Sequence, residues 1–257
     1  MQHGYRSFCP EQPPFAIAMA FQPILDVQTG RAIAYEALVR GPKGEGSADI
    51  LARVTPDKRY AFDQQCRVTA IEGAVAAGIL DTDARLSINF FPDTIYSPLA
   101  CLEPTLDTAR RLNMPLERLI FEFSEHADTG APEHLKAILD TYHGMGFGTA
   151  IDDFGAGHAG LTLLAQVRAD YLKLDMALIR GIDTAMPRRM IVEGVIRIAD
   201  KMGISVIAEG VETIGEYDSL RALGVRYMQG YLLARPGFRC LAQGHLPEEP
   251  AWANIAG

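Results

Sequence analysis

Short apolar runs alternate with longer amphipathic stretches along almost the whole sequence, and this alternation limits the folds that the chain can adopt. Eight of the runs have the length and composition of strands. These eight cover residues 16–25, 32–40, 85–91, 119–124, 148–152, 171–175, 205–209 and 227–233. Apolar residues spaced three or four apart predict helices between most of them. The predicted helices cover 62–78, 103–113, 132–145, 159–167, 187–202 and 214–223.

Strands that alternate with helices over about 250 residues are typical of a (β/α)8 barrel, although a doubly wound open sheet would produce the same order. We favour the barrel. Only residues 26–31 separate the first two strands, which is too short for a parallel crossover. The sequence therefore predicts an α/β fold, a modified TIM (β/α)8 barrel with an antiparallel first strand pair.

The barrel accounts for most of the chain. Residues 1–14 are predicted to form an irregular N-terminal arm, residues 15–240 the barrel, and residues 241–257 a C-terminal tail. The longest apolar stretch near the N-terminus spans only residues 15–21 and lacks the form of a signal peptide. No stretch approaches the roughly 18 apolar residues that a membrane span needs. We expect a cytoplasmic protein that does not bind a membrane.

The acidic composition argues against one class of partner. The chain has 24 Lys and Arg residues against 32 Asp and Glu residues, a formal net charge of −8, so it lacks the basic surface of a protein that coats a nucleic acid polymer. Its four cysteines are scattered without CxxC spacing. This argues against a disulfide framework and a zinc site, and it favours a reducing compartment.

Polar residues interrupt the predicted strands near their ends. They are Glu36, Asn89, Glu122, Asp152, Asp153, Lys173, Asp175, Glu209 and Gln229. The carboxyl ends of the parallel strands of a barrel converge on one mouth. Carboxylates gathered there could not all stay ionised without cations, because like charges and desolvation both raise the pKa of a carboxyl group. The sequence therefore predicts divalent cations at the mouth.

The residue types also select the metal and the reaction. Carboxylates and one amide, without Cys or His, favour hard ions such as Mg²⁺ or Mn²⁺. The adjacent Asp152 and Asp153 are suited to hold two ions at once, and paired ions recur in enzymes that attack phosphodiesters. Lys173 could hold the attacking water, and Arg40 could fork onto a phosphate. The predicted reaction is a metal-assisted hydrolysis.

Each of these residues also has an ordinary structural interpretation. Glu36 could be an exposed strand residue, Asn89 a strand-end hydrogen bonder, and the pair of aspartates an Asx turn. They all fall at strand ends in register with one mouth, however, and this favours a shared site. Three methionines that follow helical spacing are predicted to lie in the core. These are Met186, Met190 and Met202.

The polar strand ends resemble those of a known family, the EAL-domain cyclic di-GMP phosphodiesterases, named for the tripeptide that stands here as Glu36-Ala37-Leu38. The matching motifs are Gln22-Pro23, Glu36-Ala37-Leu38 with Arg40, Asn89-Phe90, Glu122-Phe123-Ser124-Glu125, Asp152-Asp153-Phe154-Gly155, Lys173-Leu174-Asp175, Glu209-Gly210-Val211-Glu212 and Gln229-Gly230-Tyr231. The bare tripeptide carries little information, whereas this ordered set is highly specific. The family fold is a modified barrel with an antiparallel first strand pair, which agrees with the short first hairpin.

The resemblance implies two Mg²⁺ or Mn²⁺ ions and a catalytic pair. The first ion would be bound by Glu36, Asn89, Glu122 and Asp152. The second would be bound or faced by Asp152, Asp153 and Glu209. Lys173 would position or deprotonate the attacking water, and Glu209 would also serve as a base.

The resemblance further implies contacts to the substrate. Arg40 would contact a phosphate. The other contacts to the dinucleotide would come from Gln22, Leu38, Asp175 and Gln229. Glu125 would hold the loop that follows the aspartate pair, and Glu212 would support the ligands, both without touching the substrate.

The implied function is hydrolysis of cyclic di-GMP to linear pGpG by a homodimer. Ser124 stands where the family has threonine, and residues 155–161 differ from the usual loop, which is linked in the family to dimer contacts and metal occupancy. One alternative is a catalytically silent receptor that binds cyclic di-GMP and acts through protein partners, although such relatives usually lack part of the ligand set. A metal-dependent enolate chemistry is a third possibility, and it would leave Arg40 without a role.

Overall fold

The part of the chain that this computed structural model describes, residues 15–124, 132–157 and 160–247, contains nine strands and eight α-helices. The strands are β1 (Ala18–Asp26), β2 (Ala32–Arg40), β3 (Arg85–Asn89), β4 (Leu119–Ser124), β5 (Gly148–Phe154), β6 (Tyr171–Leu174), β7 (Ser205–Ala208), β8 (Tyr227–Met228) and β9 (Gly237–Phe238). The helices are α1 (Ser47–Leu51), α2 (Arg59–Ala76), α3 (Pro98–Arg111), α4 (Pro132–Gly144), α5 (Gly160–Gln166), α6 (Met176–Ile179), α7 (Met186–Met202) and α8 (Ile214–Ala222). None of these helices is both long and apolar enough to cross a membrane.

The strands β1 to β8 form a closed barrel. β1 pairs antiparallel with β2, and the strands from β2 to β8 then follow one another in parallel. β8 pairs antiparallel with the far end of β1, which completes the ring. The predicted fold class, a modified (β/α)8 barrel with an antiparallel first pair, is confirmed.

The last barrel strand is much shorter than the sequence predicts. The strand predicted over 227–233 ends at Met228, because the chain turns away at Gly230. A Cβ atom at Gly230 would lie 2.1 Å from the carbonyl oxygen of Val211, so only glycine fits between the two loops. The helix predicted at 103–113 also differs, since it begins at Pro98, a residue well suited to the first turn of a helix.

The chain after the barrel returns to β1. β9 pairs antiparallel with Ala20, and Leu241 forms a bridge with Phe21, both at the end of β1 that lies beside the carboxyl end of β2. The tail predicted for 241–257 is described only as far as residue 247, and the predicted arm over 1–14 lies outside the described residues.

Two layers of side chains fill the inside of the barrel. The first, here called the apolar layer, is a cluster of buried side chains: Ile24, Ala34, Ile120, Ala150 and Ile207. Because side chains alternate between the two faces of a strand, residues two positions nearer the mouth also point inward. The second layer, here called the polar layer, stands at those positions: Gln22, Glu36, Glu122, Asp152 and Glu209, with Lys173 and Gln229 two residues beyond the inner tyrosines Tyr171 and Tyr227. The apolar layer thus supports the polar layer from below.

The three methionines predicted in the core are exposed instead. Met186, Met190 and Met202 are 66%, 65% and 46% exposed. Helix α7 packs on the barrel through Val192, Val195 and Ala199, on the face opposite Met186 and Met190, while Met202 is the last residue of the helix. Periodicity alone cannot distinguish two apolar faces of one helix, and the prediction selected the wrong one.

An ion pair closes the barrel at the end opposite the mouth. The buried Asp26 accepts hydrogen bonds from Arg226 Nε at 3.1 Å and Nη2 at 2.7 Å, and from the backbone N–H of Gln28 at 2.9 Å. The hydrogen bond from Arg226 holds the pKa of Asp26 below its ordinary value, so this carboxylate is charged at neutral pH. The pair ties the end of β1 to the start of β8.

Candidate active site

A buried lysine lies at the centre of the polar layer. Lys173 on β6 has no exposed surface. Its Nζ atom is surrounded by four carboxylate oxygens, at 2.7 Å (Glu122 Oε2), 2.7 Å (Glu209 Oε1), 3.0 Å (Asp152 Oδ1) and 3.4 Å (Glu36 Oε2). These carboxylates come from four different strands or strand ends, as the convergence at a barrel mouth requires.

The negative charges outnumber the positive one, and the pKa values reflect this. Burial raises the pKa of Glu122 to about 8, and the charges of Glu36 and Asp152 contribute to the rise while Lys173 opposes it. Burial and Asp152 also raise the pKa of Glu209 well above its ordinary value. Burial lowers the pKa of Lys173, but the surrounding carboxylates outweigh this effect and raise it. The cluster therefore retains protons at neutral pH unless further cations neutralise it.

A backbone irregularity brings the two adjacent aspartates to one site. Consecutive residues of a strand normally point to opposite faces. Here the pairing of β5 with β6 shifts register between Ile151 and Phe154, and Asp153 has a φ of 56°. Both Asp152 and Asp153 consequently offer an oxygen within 4.8 Å of Glu209. The bulge aims a second carboxylate into the site, a common use of such irregularities.

Neutral side chains fix the orientation of the carboxylates. Asn89 Nδ2 donates to Glu36 Oε1 at 3.0 Å, and Gln229 Nε2 donates to Glu36 Oε2 at 2.8 Å. On the neighbouring carboxylate, Ser87 Oγ donates to Glu122 Oε1. Gln229 also donates to Gln22 Oε1 at 3.1 Å, which connects the first and last barrel strands. Both oxygens of Glu36 are thus held in place.

The donor atoms suit two hard cations. One group of oxygens within 4.8 Å of one another comes from Glu36, Glu122 and Asp152, and a second from Asp152, Asp153 and Glu209. The two groups share Asp152, which could therefore bridge two ions. The carboxylate oxygens, with the Asn89 amide beside them, match the preferences of Mg²⁺, Mn²⁺ or Ca²⁺.

A cavity of about 440 Å³ opens beside this cluster. Its walls include Asn89 and Asp152 together with the apolar side chains of Leu38, Leu51 and Phe62. Mostly apolar walls with a few convergent polar groups are typical of small-molecule sites.

Of the predicted substrate contacts, Gln229 bonds to a carboxylate of the cluster, whereas Arg40 and Asp175 bond to backbone groups. Gln22 and Gln229 belong to the buried hydrogen-bond network, and Gln22 Nε2 donates to the carbonyl oxygen of Ala234 at 3.0 Å. Arg40 is half-buried at the end of β2, and its guanidinium donates to the carbonyl oxygen of Val39 at 2.8 Å. Asp175 caps α6 by accepting the N–H of Ala177 at 2.7 Å.

Of the two glutamates predicted to support the site, Glu125 and Glu212, the structure describes only Glu212. Glu125 lies outside the described residues. The side chain of Glu212 is 40% exposed and pairs with Arg180 at 2.8 Å. The buried Glu216 instead holds this loop, because it accepts hydrogen bonds from the backbone N–H groups of Gly181, Glu212 and Thr213. The pattern Thr213-x-x-Glu216 is a capping box, a local signal that could have identified it.

The comparison with family models identifies the domain. A model described as the EAL domain matches residues 16–236. The chain belongs to the EAL domain family. This match covers all the strands of the barrel and every predicted site residue.

Solved structures of EAL proteins are similar over most of the chain. A standalone versatile EAL protein from Vibrio cholerae O395, in its c-di-GMP-bound form, is 43% identical with a TM-score of 0.86, over 90% of this chain and 97% of that one. BlrP1 from Klebsiella pneumoniae, in a manganese and cyclic di-GMP complex, is 30% identical with a TM-score of 0.82, over 92% of this chain and 58% of that one.

Curated relatives include proteins with different descriptions. The probable cyclic di-GMP phosphodiesterase PdeA of Escherichia coli is 30% identical over 80% of this chain and 31% of its own length. The blue light- and temperature-regulated antirepressor BluF of Escherichia coli is 29% identical over 88% of this chain and 56% of its own length. The chain thus spans between about a third and about half of these relatives, and its EAL domain is the part they share.

Proposed function

We propose that this EAL domain is a metal-dependent phosphodiesterase that hydrolyses cyclic di-GMP to linear pGpG. The observation that carries the proposal is the convergence of four carboxylates on the buried Lys173, with Asp153 as a fifth beside them, in two groups that share Asp152. The relatives described as cyclic di-GMP phosphodiesterases and the structures that contain the dinucleotide support the choice of substrate.

Two Mg²⁺ or Mn²⁺ ions are the proposed cofactors. Glu36, Asn89, Glu122 and Asp152 would hold the first ion, and Asp152, Asp153 and Glu209 the second. Ions at these positions would acidify a bound water and stabilise the charge that develops on the phosphate. They would also neutralise the carboxylates, which Lys173 alone cannot do.

The side chains of the domain would direct the proton and the phosphate. Lys173 Nζ would donate to the attacking water and orient it. Glu209 would accept the proton of this water. Hydrolysis joins the hydroxyl to phosphorus, breaks one phosphorus–oxygen bond, and leaves a proton on the departing sugar oxygen. Arg40 would bind the phosphate through its planar fork.

The same proposal places the rest of the dinucleotide along the mouth. Gln22 and Gln229 each have amide groups at the edge of the polar layer that could bind the substrate. Leu38 would contact it through apolar surface of the cavity. Asp175 has a second carboxylate oxygen besides the one that caps α6, and this atom could accept a hydrogen bond from a guanine.

The direct test is product analysis on the purified protein. With Mg²⁺ or Mn²⁺, chromatography should show conversion of cyclic di-GMP to pGpG. Addition of a chelator should stop the reaction, and excess Mn²⁺ should restore it. Binding of cyclic di-GMP without turnover, with every divalent ion tried, would contradict the proposal.

The pKa of Glu122 predicts how pH affects metal binding. Below about pH 8 the metal-free protein carries a proton on Glu122, and a cation must displace it. The apparent dissociation constant for Mn²⁺ should therefore increase by about tenfold for each pH unit from 8 down to 6, if one proton leaves per ion. Calorimetric titrations in buffers of different protonation enthalpy would measure this release. An affinity that does not change with pH would contradict it.

The receptor function is the second candidate. It is favoured by the similarity to BluF, which is described as an antirepressor. A receptor would bind cyclic di-GMP in the presence of chelator and would leave it intact with metal present. The same chromatography separates the two functions.

The oligomeric state and the location stay predictions. A homodimer would suit the exposed apolar side chains of Met186, Met190 and Ile191 on α7. A cytoplasmic location would suit the scattered cysteines and a nucleotide substrate.

A further inference from the structure

A fully buried ion pair lies on the outside of the barrel, behind β3 and β4. Asp63 and Arg67 of α2 are 1% and 0% exposed, and Arg67 Nη2 lies 2.6 Å from Asp63 Oδ2. Arg67 Nη1 also donates to the hydroxyl of Tyr142 at 3.1 Å. Burying two charges is costly, and well-packed apolar residues are often as stable as a buried ion pair. Stability alone therefore gives little reason for this pair.

The pair holds the loop that follows the strand carrying Asn89. Strand β3 ends at Asn89, and the N–H of Phe91 donates to Asp63 Oδ1 at 2.9 Å. The guanidinium of Arg67 lies 5.4 Å from the ring centre of Phe90 and 5.5 Å from that of Phe121. Phe90 and Phe121 are the sequence neighbours of Asn89 and Glu122. The ion pair thus contacts the outer side of both strand ends whose inner sides face the site.

Asn89 depends on this support more than the carboxylates do. Its side chain is exposed, so packing does not hold it, whereas Glu36 and Glu122 are buried. Its amide reaches Glu36 from a strand end, where the ladder of hydrogen bonds is ending. The position of the amide is consequently set by the backbone of residues 89–91.

We propose that Asp63 and Arg67 are positioning residues that hold Asn89 beside Glu36, and that the bond from Asp63 to the Phe91 N–H thereby sets the affinity of the first ion site. The metal part of this inference rests on the proposed function. Residues that orient metal ligands typically change metal affinity by about 10- to 100-fold when they are replaced.

Two double variants isolate the single hydrogen bond. Asp63→Asn/Arg67→Met and Asp63→Leu/Arg67→Met both remove the buried charges together, so neither leaves an unpaired charge in the core. Only the first keeps an oxygen for the Phe91 N–H. The matched control is Asp26→Leu/Arg226→Met, which removes an Asp–Arg pair with a backbone N–H bond at the opposite end of the barrel.

The readouts are the Mn²⁺ dissociation constant, measured by calorimetry, and the hydrogen-exchange rate of the Phe91 amide. We expect the Asp63→Leu double variant to bind Mn²⁺ about tenfold or more weakly than the Asp63→Asn double variant, and to lose Phe91 protection. The control should stay within about twofold of wild type. Equal Mn²⁺ affinities of the two double variants would overturn the inference, as would an equal loss in the control.

The exchange measurement separates this inference from the proposed function. It requires no metal and no turnover. If wild type neither binds Mn²⁺ nor hydrolyses cyclic di-GMP, the proposed function fails. The positioning role is still supported in that case if the Phe91 amide loses its protection in the Asp63→Leu double variant and keeps it in the Asp63→Asn double variant. Unchanged protection in that variant would refute the positioning role whatever the activity.

Discussion

Replacement of Glu36 by alanine is expected to abolish the conversion of cyclic di-GMP to pGpG. The loss should be about 10³-fold or more, which corresponds to roughly 4 kcal/mol of activation free energy. Glu36 offers an oxygen to the first ion group, contacts Lys173, and accepts hydrogen bonds from Asn89 and Gln229. Its removal takes a ligand from the proposed metal site and removes the shared acceptor of the Asn89 and Gln229 amides. Initial rates at saturating Mn²⁺ would measure the loss.

Two further variants show whether the charge or the fold is responsible. Glu36→Gln removes the charge and keeps an oxygen for one of the two amide donors, so the barrel should stay intact while Mn²⁺ affinity and turnover still fall. Glu193→Ala removes an exposed carboxylate on α7, paired with Arg197, and should leave the rate unchanged. Turnover by Glu36→Gln within tenfold of wild type would argue against Glu36 as a metal ligand.

Replacement of Lys173 by methionine should lower turnover by about 10²–10⁴-fold, the usual contribution of a positioned proton donor or acceptor. Methionine fills most of the buried volume but cannot orient a water. The same change removes the positive charge that contacts the four carboxylates of Glu36, Glu122, Asp152 and Glu209. Mn²⁺ should therefore bind as tightly as in wild type or more tightly, while kcat falls.

The decisive feature of Lys173→Met is that kcat should fall while Mn²⁺ affinity stays the same or increases. A purely structural role for Lys173 would weaken Mn²⁺ binding and turnover together. Lys136→Met is the control, because Lys136 forms a comparable pair with Asp140 on the exposed surface of α4. The metal-free Lys173→Met protein should also melt at a lower temperature than metal-free wild type, and added Mn²⁺ should raise its melting temperature to that of wild type. A kcat near that of wild type would refute the proposed role of Lys173.

Strand periodicity was sufficient to predict which polar residues meet. Glu36, Glu122 and Lys173 each lie at a strand position whose parity and distance from the strand end are visible in the sequence, and a closed barrel fixes the rest. The last strand was predicted too long, since its early end depends on the backbone of Val211, which lies close to Gly230 only in the folded chain.

The residues that support the site were harder to predict. Asp63 and Arg67 are an ordinary (i, i+4) pair in the sequence, and only the packing of α2 against the barrel shows that the pair is buried beside Phe91. Ser87 is an unremarkable strand residue until its register places it beside Glu122. Asp153 was assigned to the site from its neighbour, although strand alternation alone would point it away.

The separation of the barrel interior into an apolar and a polar layer has an evolutionary consequence. Ile24, Ala34, Ile120, Ala150 and Ile207 form the apolar part of the scaffold, and the residues one level above carry the charges, which oppose one another there. Exchange of a single acidic side chain in the upper level would end the proposed catalysis and relieve electrostatic repulsion, with the apolar layer unchanged. Descendants of such a barrel can therefore become non-enzymatic ligand sensors in one step, without passing through an unstable ancestor.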